Sequence, residues 1–510
     1  MNILVEAAEG SRSKPDSRQP ARVYIAVIVA VFVTSRLIYR ACGNRFASNL
    51  HLWQVLDPQL LRTDLWRSLY YLHSQPPLIN AFLGLSLKLF PNSYPIFLQL
   101  VFWLLGIVLA VALFILLTEM EVPLPISLAL VLVFELSPAT LGFESWYHDT
   151  YPSAVILCVA ALFLLYHLRT RRSAYGLAFV IAAGMLVLIN STFQIIWFAV
   201  TIAMLWALCP TVRSPALFKA SVWVILGLLL LYVKTLLVFG TFTTSSWLGM
   251  NLAYTSLSHI PPAERSELVS AKVLNPVSNV RAFSPLSDYP GVPLRSNGIA
   301  ALDQTTRSDG WPNFNNFAYI EIAHLYLKDD LWAIAHRPRA YLKGVAISVV
   351  NYLTPANEFY DFKQFNVNIP SWVEIYYWAG NPITPFRGLL KRYENQDHLD
   401  QKRYDGPSVT LAILLPVLIV FGVIKVVSAV RSGRSGDPVT VCLLFILIAI
   451  AYVSAAGTLI DCNENNRFRF VIDPLYVVLA GLFFTYLDKQ LRIAAMSFQG
   501  KTVLSSDNNC

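Results

Sequence analysis

The chain has 510 residues, of which 55% are hydrophobic and only 14% are charged. Soluble domains carry about 25% charged residues, so this composition excludes an ordinary soluble protein and indicates a membrane protein. The formal net charge is +8. In a membrane protein Lys and Arg mostly flank the spans on the cytosolic side, so this charge gives no reason to expect a nucleic-acid partner.

Apolar runs recur along the chain, and most approach the roughly 20 residues with which a helix crosses the hydrocarbon layer. A basic tail, residues 1–21, precedes the first run, which we predict to be an uncleaved span. We therefore predict an all-α polytopic membrane protein with about ten transmembrane helices. These helices are expected at 22–41, 96–118, 123–143, 149–168, 175–190, 192–209, 217–239, 409–430, 439–460 and 470–488.

The run at 76–90, within "YLHSQPPLINAFLGLSLKLFP", is predicted to form an outer surface helix and not a further span. As a helix it is only about 22 Å long, which is short for a crossing. If it does not cross, the arginine-bearing loops all fall on the cytosolic side, as the positive-inside tendency requires. Those loops are 169–173, 211–219, 430–436 and the C-terminal segment 488–492.

This topology divides the chain into five parts. They are a cytosolic tail (1–21), an N-terminal transmembrane module (22–239) with outer loops at 43–95 and 142–150, an extracytoplasmic stretch (240–408), C-terminal transmembrane helices (409–488) and a cytosolic tail (489–510). The extracytoplasmic stretch mixes Pro, Asn, Gly and charged residues, and we interpret it as an external elaboration of the membrane part. No internal repeat is visible.

Carboxylates are scarce in the first outer loop, which offers Asp57 and Asp64 as candidates for a general base. Glu135 lies inside an apolar run, where an ionisable residue is costly and often functional. It lies about two turns from the outer end of its predicted helix, and we expect it to help line an outer cavity.

The second outer loop, "FESWYHDTYP", contains Glu144, His148 and Asp149 within ten residues. Carboxylate and imidazole groups are both ligands for divalent ions, so His148 and Asp149 are candidate metal ligands. The alternative is an aromatic belt at the membrane interface, with Asp149 capping the helix that follows.

The last outer loop, "DCNENNRFRFVIDPLYVV", places Arg467 and Arg469 on the outer face, against the positive-inside tendency. Phosphate is one possible partner, because guanidinium makes bidentate, charge-assisted hydrogen bonds to it. The alternative is that the two arginines pair with Glu464 and Asp473 within the chain.

Three stretches together resemble the protein O-mannosyltransferase-like and aminoarabinose-transferase-like enzymes of glycosyltransferase family 39. That family belongs to the membrane-embedded C-type glycosyltransferase superfamily (GT-C). The stretches are "HSQPPLINAFLGLSLKLF", "FESWYHDTYPSAVILCVAALFLLYHLRTRR" and "NENNRFRFVIDPLYVVLAG", in the family's order. The resemblance covers roughly residues 22–240 and 409–488, and the stretch at 240–408 matches no family we can name.

The resemblance implies an integral membrane glycosyltransferase that moves a sugar from a polyprenyl-phosphate donor to an acceptor hydroxyl, with inversion. It implies that Asp57, or alternatively Asp64, accepts the acceptor's proton. Arg467 and Arg469, or a divalent ion near Asp149, would stabilise the leaving phosphate, with His73 and Gln75 at the mouth of the cavity. The chain departs from the family in lacking an Asp-Glu pair in the first outer loop and in having Pro91 and Asn92 where glycine is expected.

The expected location is a bacterial plasma membrane, with the active site facing the periplasm or exterior. A lipid, a glycan or a protein would serve as acceptor. Two other function classes remain open. A transporter or lipid flippase also needs many spans, but such proteins often show paired halves, and the polar clusters here lie at one face. A non-catalytic membrane scaffold is the third possibility.

Overall fold

A computed structural model describes residues 18–47, 50–208, 213–380 and 407–506. Within these ranges the chain is helical, with two isolated β-bridges and no β-strand. The prediction of an all-α polytopic membrane protein is confirmed. Most of the predicted N-terminal tail (1–21), part of the outer stretch (381–406) and the last four residues of the C-terminal tail lie outside the described residues.

The helices are numbered here in chain order. The first half of the chain forms α1 (Arg18–Ala41), α2 (Pro58–Thr63), α3 (Leu65–Tyr70), α4 (Pro77–Leu89), α5 (Tyr94–Glu119), α6 (Leu124–Glu135), α7 (Pro138–Glu144), α8 (Thr150–Thr170), α9 (Ser173–Ile189), α10 (Ile195–Leu208) and α11 (Pro215–Phe239). The second half forms α12 (Leu248–Thr255), α13 (Pro262–Ser270), α14 (Ala300–Asp303), α15 (Ala318–His336), α16 (Pro338–Tyr352), α17 (Lys363–Asn366), α18 (Pro370–Gly380), α19 (Val409–Arg431), α20 (Pro438–Ile460), α21 (Asn465–Phe470) and α22 (Asp473–Ser506).

The predicted apolar runs all coincide with helices, but the count of ten spans is not confirmed. By length and composition, six described helices can cross a membrane: α1, α5, α8, α11, α19 and α20. The run predicted at 123–143 is broken, because α6 and α7 meet at an angle of 60°. Ser137 caps α7 through a hydrogen bond to the Thr140 amide, and Pro138 occupies its first turn. Counting this bent pair as one span gives seven.

Helix α8 lies at the centre of the membrane part. Its apolar window is 83% buried, compared with 17% for that of α1. It packs against α5, α9 and α20, and its C-terminus ends at Arg171 in a left-handed conformation. The predicted second outer loop leads directly into this central helix. The polar residues of the loop therefore lie at the end of the central helix of the bundle.

The predicted surface helix is present as α4, 13 residues long. It begins at two prolines, with Pro76 extended and Pro77 in the first turn, where the missing N–H costs nothing. Ser74, just before these prolines, donates its backbone N–H to Asn315 Oδ1 at 3.2 Å. Helix α4 packs against the short helices α2 and α3 of the first outer loop. Its position outside the bilayer stays a prediction.

The stretch from 240 onward packs on the predicted outer loops. Its aromatic and aliphatic side chains form a second core, centred on Trp247, Phe283 and Tyr319, which includes Cys462 of the last outer loop. Trp53 of the first outer loop stacks on Phe283 with ring centroids 4.8 Å apart. Helix α16 packs against α20 and α21. This stretch is therefore joined to the predicted outer loops by a shared core.

Candidate active site

A narrow cleft with a volume of about 10 Å³, roughly the room that one water molecule needs, lies where the first and second predicted outer loops meet. The first loop contributes Gln75, Pro76 and Asn80, and the second contributes Tyr147, His148 and Asp149. Apolar and amide side chains complete the lining, namely Leu52, Gln54, Val55, Ile79 and Ile189. Three of the residues predicted for the site, Gln75, His148 and Asp149, therefore share one cavity.

Asp149 immediately precedes α8 but does not cap it, since its side chain makes no capping hydrogen bond. Its Oδ1 instead lies 2.6 Å from Nδ1 of His148 and 3.7 Å from Nη1 of Arg467. Burial acts to raise the pKa of Asp149, but His148 and Arg467 outweigh this and hold the pKa below its usual value. Asp149 is thus a buried, ionised carboxylate between two nitrogen groups.

The ring of His148 is fixed from both sides. Trp146 stacks on it with centroids 4.2 Å apart and planes 14° from parallel. Thr150 Oγ1 lies 3.0 Å from Nδ1, on the edge that faces Asp149. These contacts orient the imidazole. No hydrogen bond from the described residues reaches its Nε2 atom.

Arg467 connects the last outer loop to the second. Its Nε donates to Glu464 Oε2 at 2.9 Å, and Nη2 contacts the same oxygen. Its Nη1 donates to Thr150 Oγ1 over 3.3 Å. The predicted ion pair between Arg467 and Glu464 is confirmed, and the same arginine also reaches Asp149.

Arg469 is held elsewhere. Its Nε donates to Asp473 Oδ1 at 3.1 Å, which confirms the predicted pairing. Its Nη1 donates to the carbonyl oxygens of Tyr352 and Thr354, just after α16. These contacts tie Arg469 to the end of α16, and it does not line the cleft.

Further acidic groups lie around Arg467, and two of its neighbours escaped the sequence analysis. Tyr360 donates its hydroxyl to Glu464 Oε1 at 2.8 Å. Burial and repulsion from Glu464 raise the pKa of Asp361 to about 7. Tyr360 and Asp361 belong to the stretch at 240–408, which matched no family motif. The segment "NEFYDFKQF", which mixes acidic and aromatic residues, was the sequence signal that could have identified them.

The metal-binding role of His148 and Asp149 stays a prediction. Among the described residues, no group of three or more His, Cys, Asp or Glu side chains could hold a metal ion. The charged oxygen of Asp149 already faces the nitrogens of His148 and Arg467.

The two candidate bases of the first loop lie outside the cleft lining. Asp57 is the N-cap of α2: its Oδ1 accepts from the amides of Gln59 (2.7 Å) and Leu60 (3.4 Å). Ser308 donates its hydroxyl to Oδ1 and its amide to Oδ2, both at 2.6 Å. Asp64 is exposed between α2 and α3 and makes no capping hydrogen bond. The four hydrogen bonds give Asp57 a structural role. A catalytic role for Asp57 or Asp64 stays a prediction.

His73 is buried between the first loop and the outer stretch. Its Nδ1 contacts Ser246 Oγ at 2.8 Å, and its Nε2 contacts the carbonyl oxygen of Asn315 at 2.9 Å. Burial lowers the pKa of His73 to about 3. Both ring nitrogens are engaged within the protein, so His73 connects the two segments. No ring nitrogen is left to contact a donor, as the resemblance had implied for a residue at the mouth of the cavity.

Glu135 and Glu144 meet, but around an arginine that the sequence analysis did not single out. Arg36 of α1 donates to Glu144 Oε2 at 2.6 Å and to Glu135 Oε2 at 3.0 Å. Tyr151 donates to the same oxygen of Glu144 at 3.1 Å. All of these side chains are buried, so the group joins α1 to the bent pair α6 and α7 and does not line the cleft.

No protein-family model matches this chain, and no curated protein matches it. Solved structures of an archaeal oligosaccharyltransferase from Archaeoglobus fulgidus do resemble it. Its complex with Zn and sulfate is 13% identical with a TM-score of 0.36, and the match covers 94% of this chain and 51% of that chain. Its complex with an inhibitory peptide and a dolichol-phosphate is 14% identical with a TM-score of 0.36, covering 92% and 51%.

This chain therefore spans about half the length of those solved chains. At this TM-score the overlap is too loose to assign a family, an activity or a ligand to this chain. The case for a function rests on the residues of the cleft and on the resemblance of the three sequence stretches.

Proposed function

We propose that this protein is a membrane glycosyltransferase of the GT-C type. It would transfer a sugar from a polyprenyl-phosphate-linked donor to an acceptor hydroxyl at the extracytoplasmic face of a bacterial plasma membrane. The observation that carries the proposal is the meeting of the three family-like stretches. Gln75, Asp149 and Arg467 come from these stretches, and Asp149 joins the cleft to the arginine.

The chemistry of the donor fits this arrangement. Its leaving group is a lipid phosphate, which gains negative charge as the sugar–oxygen bond breaks. A guanidinium beside the cleft stabilises that charge most where water is excluded. Arg467 keeps Nε and Nη2 on Glu464, while the contacts that Nη1 makes within the described ranges are those to Thr150 Oγ1 (3.3 Å) and Asp149 Oδ1 (3.7 Å). Nη1 is therefore the group that we assign to the phosphate.

The acceptor is a hydroxyl of a lipid, glycan or protein. Attack on the anomeric carbon from the face opposite the phosphate inverts its configuration. Gln75 and Asn80 at the cleft offer amide groups that can hydrogen-bond to a sugar. The stretch from 240 onward covers the first loop, and we assign acceptor selection to it.

The test is sugar transfer in membranes given a labelled polyprenyl-phosphate sugar. We expect Arg467→Ala to lose transfer by about 100-fold or more, because removing one stabilising donor typically costs that much. Arg434→Ala is the matched control, since Arg434 is exposed in a loop predicted to be cytosolic and its guanidinium donates to the neighbouring Ser432 hydroxyl. Equal transfer by Arg467→Ala and the control would contradict the phosphate role. No transfer by the wild-type protein with any such donor would contradict the function itself.

A further inference from the structure

The carboxylate of Glu464 is shared between Arg467 and a tyrosine of the outer stretch. Its Oε2 accepts from Nε of Arg467 at 2.9 Å and also contacts Nη2. Its Oε1 accepts from the hydroxyl of Tyr360 at 2.8 Å. A carboxylate with no other partner commonly binds the two nitrogens of an arginine edge with one oxygen each. Here both nitrogens converge on Oε2, because Tyr360 occupies Oε1.

This arrangement sets the direction of the remaining guanidinium nitrogen, Nη1. The guanidinium of Arg467 lies over the ring of Phe468, with Cζ 4.6 Å from the ring centroid. A contact on its face leaves the guanidinium free to turn within its own plane. The contacts of Nε and Nη2 with Glu464 remove that freedom. They direct Nη1 toward Thr150 Oγ1 at 3.3 Å and Asp149 Oδ1 at 3.7 Å.

The position of Tyr360 is set by the packing of its neighbours in the chain. Phe359 is buried and contacts Trp146, with ring centroids 5.2 Å apart. Phe362 is also buried and contacts Phe143, with ring centroids 4.5 Å apart. These two phenylalanines hold the turn against α7 and the second outer loop. The tyrosine hydroxyl is therefore a preorganised partner for the glutamate.

We propose that Tyr360 is a positioning residue for Arg467: by holding Oε1 of Glu464, it keeps Nη1 of the arginine directed at the leaving phosphate. This inference rests on the proposed function and deepens it. It connects the stretch to which we assign acceptor selection with the group that stabilises the departing donor phosphate. Tyr360 acts through Glu464 and takes no part in the making or breaking of bonds.

Loss of the Tyr360 hydroxyl makes Oε1 of Glu464 available to the arginine. The carboxylate then binds Nε with one oxygen and Nη2 with the other, which strengthens the ion pair and changes the direction of Nη1. Transfer falls for this reason, although the fold loses only one hydrogen bond at a partly exposed position.

The experiment compares the full-length wild-type protein with Tyr360→Phe over a range of concentrations of the labelled polyprenyl-phosphate sugar. A misplacement of 1 Å costs on the order of 100-fold in rate, so we expect the turnover number to fall by about 10- to 100-fold. The KM for the donor should change little, because the guanidinium acts mainly on charge that develops as the phosphate leaves.

Tyr341→Phe is the matched control. The hydroxyl of Tyr341 donates to the carbonyl oxygen of Leu459 at 3.1 Å. The control therefore also removes one tyrosine hydrogen bond between the outer stretch and the end of α20, just before the last outer loop. It should keep wild-type turnover, and the thermal unfolding midpoints of the two variants should be alike.

A double variant separates positioning from a merely structural role. If Tyr360 acts through Glu464, then Tyr360→Phe combined with Glu464→Ala should be no slower than Glu464→Ala alone, because the link is already broken. If Glu464→Ala does not fold, the comparison of Tyr360→Phe with Tyr341→Phe decides the question.

Three results would overturn the inference. The first is wild-type turnover in Tyr360→Phe, and the second is an equal fall in Tyr341→Phe. The third is a further fall when Tyr360→Phe is added to Glu464→Ala, which would mean that Tyr360 acts by another route. A wild-type protein without transfer activity would reject the function and the inference together, whereas an active wild type with an equally active Tyr360→Phe rejects the inference alone.

Discussion

At the scale of single residues, His73 links the fold to pH. The folded pKa of His73 is about 3, because burial disfavours its charged form, and the unfolded value is about 6.5. Below pH 6.5 the unfolded chain binds more protons than the folded chain, so stability falls as the pH drops from about 6.5 toward 3. For this group alone, we expect a loss of about 2 kcal/mol between pH 8 and pH 5.

Thermal unfolding of detergent-solubilised protein across that range measures the effect. His73→Gln should be less stable than wild type at pH 8, because a buried contact to Ser246 or Asn315 is lost, but it should lack this part of the pH dependence. Equal slopes in wild type and His73→Gln would show that His73 is not the group responsible.

At the scale of elements, α2 and the turn at 305–312 depend on one carboxylate. Asp57 caps α2 and accepts two hydrogen bonds from Ser308, and Arg307 of the same turn donates to the carbonyl oxygens of Leu50 and Val55. We expect Asp57→Ala to destabilise the protein by about 1–2 kcal/mol, from the lost cap and the unsatisfied Ser308 donors.

Thermal unfolding again measures this change, and Asp64→Ala is the control. Asp64 is exposed and caps nothing, so its replacement should stay within about 0.5 kcal/mol of wild type. If Asp57→Ala keeps wild-type stability and loses transfer activity, the capping role is secondary and the original assignment of Asp57 as the base returns.

The elements themselves were largely predictable from the sequence, whereas their partners were not. Apolar runs identify helices because the run of apolar residues can be read from a single local segment of the sequence. Arg36, Ser308, Asn315 and Tyr360 escaped notice because each acts on a residue at least 99 positions away. Ser137-Pro138 is the sequence signal of the bend between α6 and α7. A hydrophobicity average over 123–143 does not detect it, because the whole segment is apolar.

The candidate site shows the same division. Gln75, His148 and Asp149 were predicted and do share the cleft, since each lies in a short segment with its own signature. The pairing of Arg467 with Asp149 depends on how the last loop packs over α8, which no local pattern reports. The family resemblance implied Asp57, or alternatively Asp64, as the base, but Ser308 of the turn at 305–312 donates two hydrogen bonds to Asp57.

At the scale of the whole molecule, the topology makes one clear prediction. In a cysteine-free background, Asn92→Cys should react with a membrane-impermeant maleimide from outside, because it follows α4 on the predicted outer face and is exposed. Ser173→Cys and Ser432→Cys, in predicted cytosolic loops, should react only after permeabilisation. If the segment at 76–90 crosses the membrane, the accessibilities of Asn92→Cys and Ser173→Cys are exchanged.

The buried group around Arg36 sets an order of events during synthesis. Arg36 sits in α1, and its partners Glu135 and Glu144 are synthesised 99 and 108 residues later. At about 5–20 residues per second, that delay lasts roughly 5–20 s. During this interval α1 must hold a charge near its outer end, where a long side chain can reach the interface. The contacts of Arg36 with Glu135 and Glu144 can form only after α6 and α7 have been synthesised.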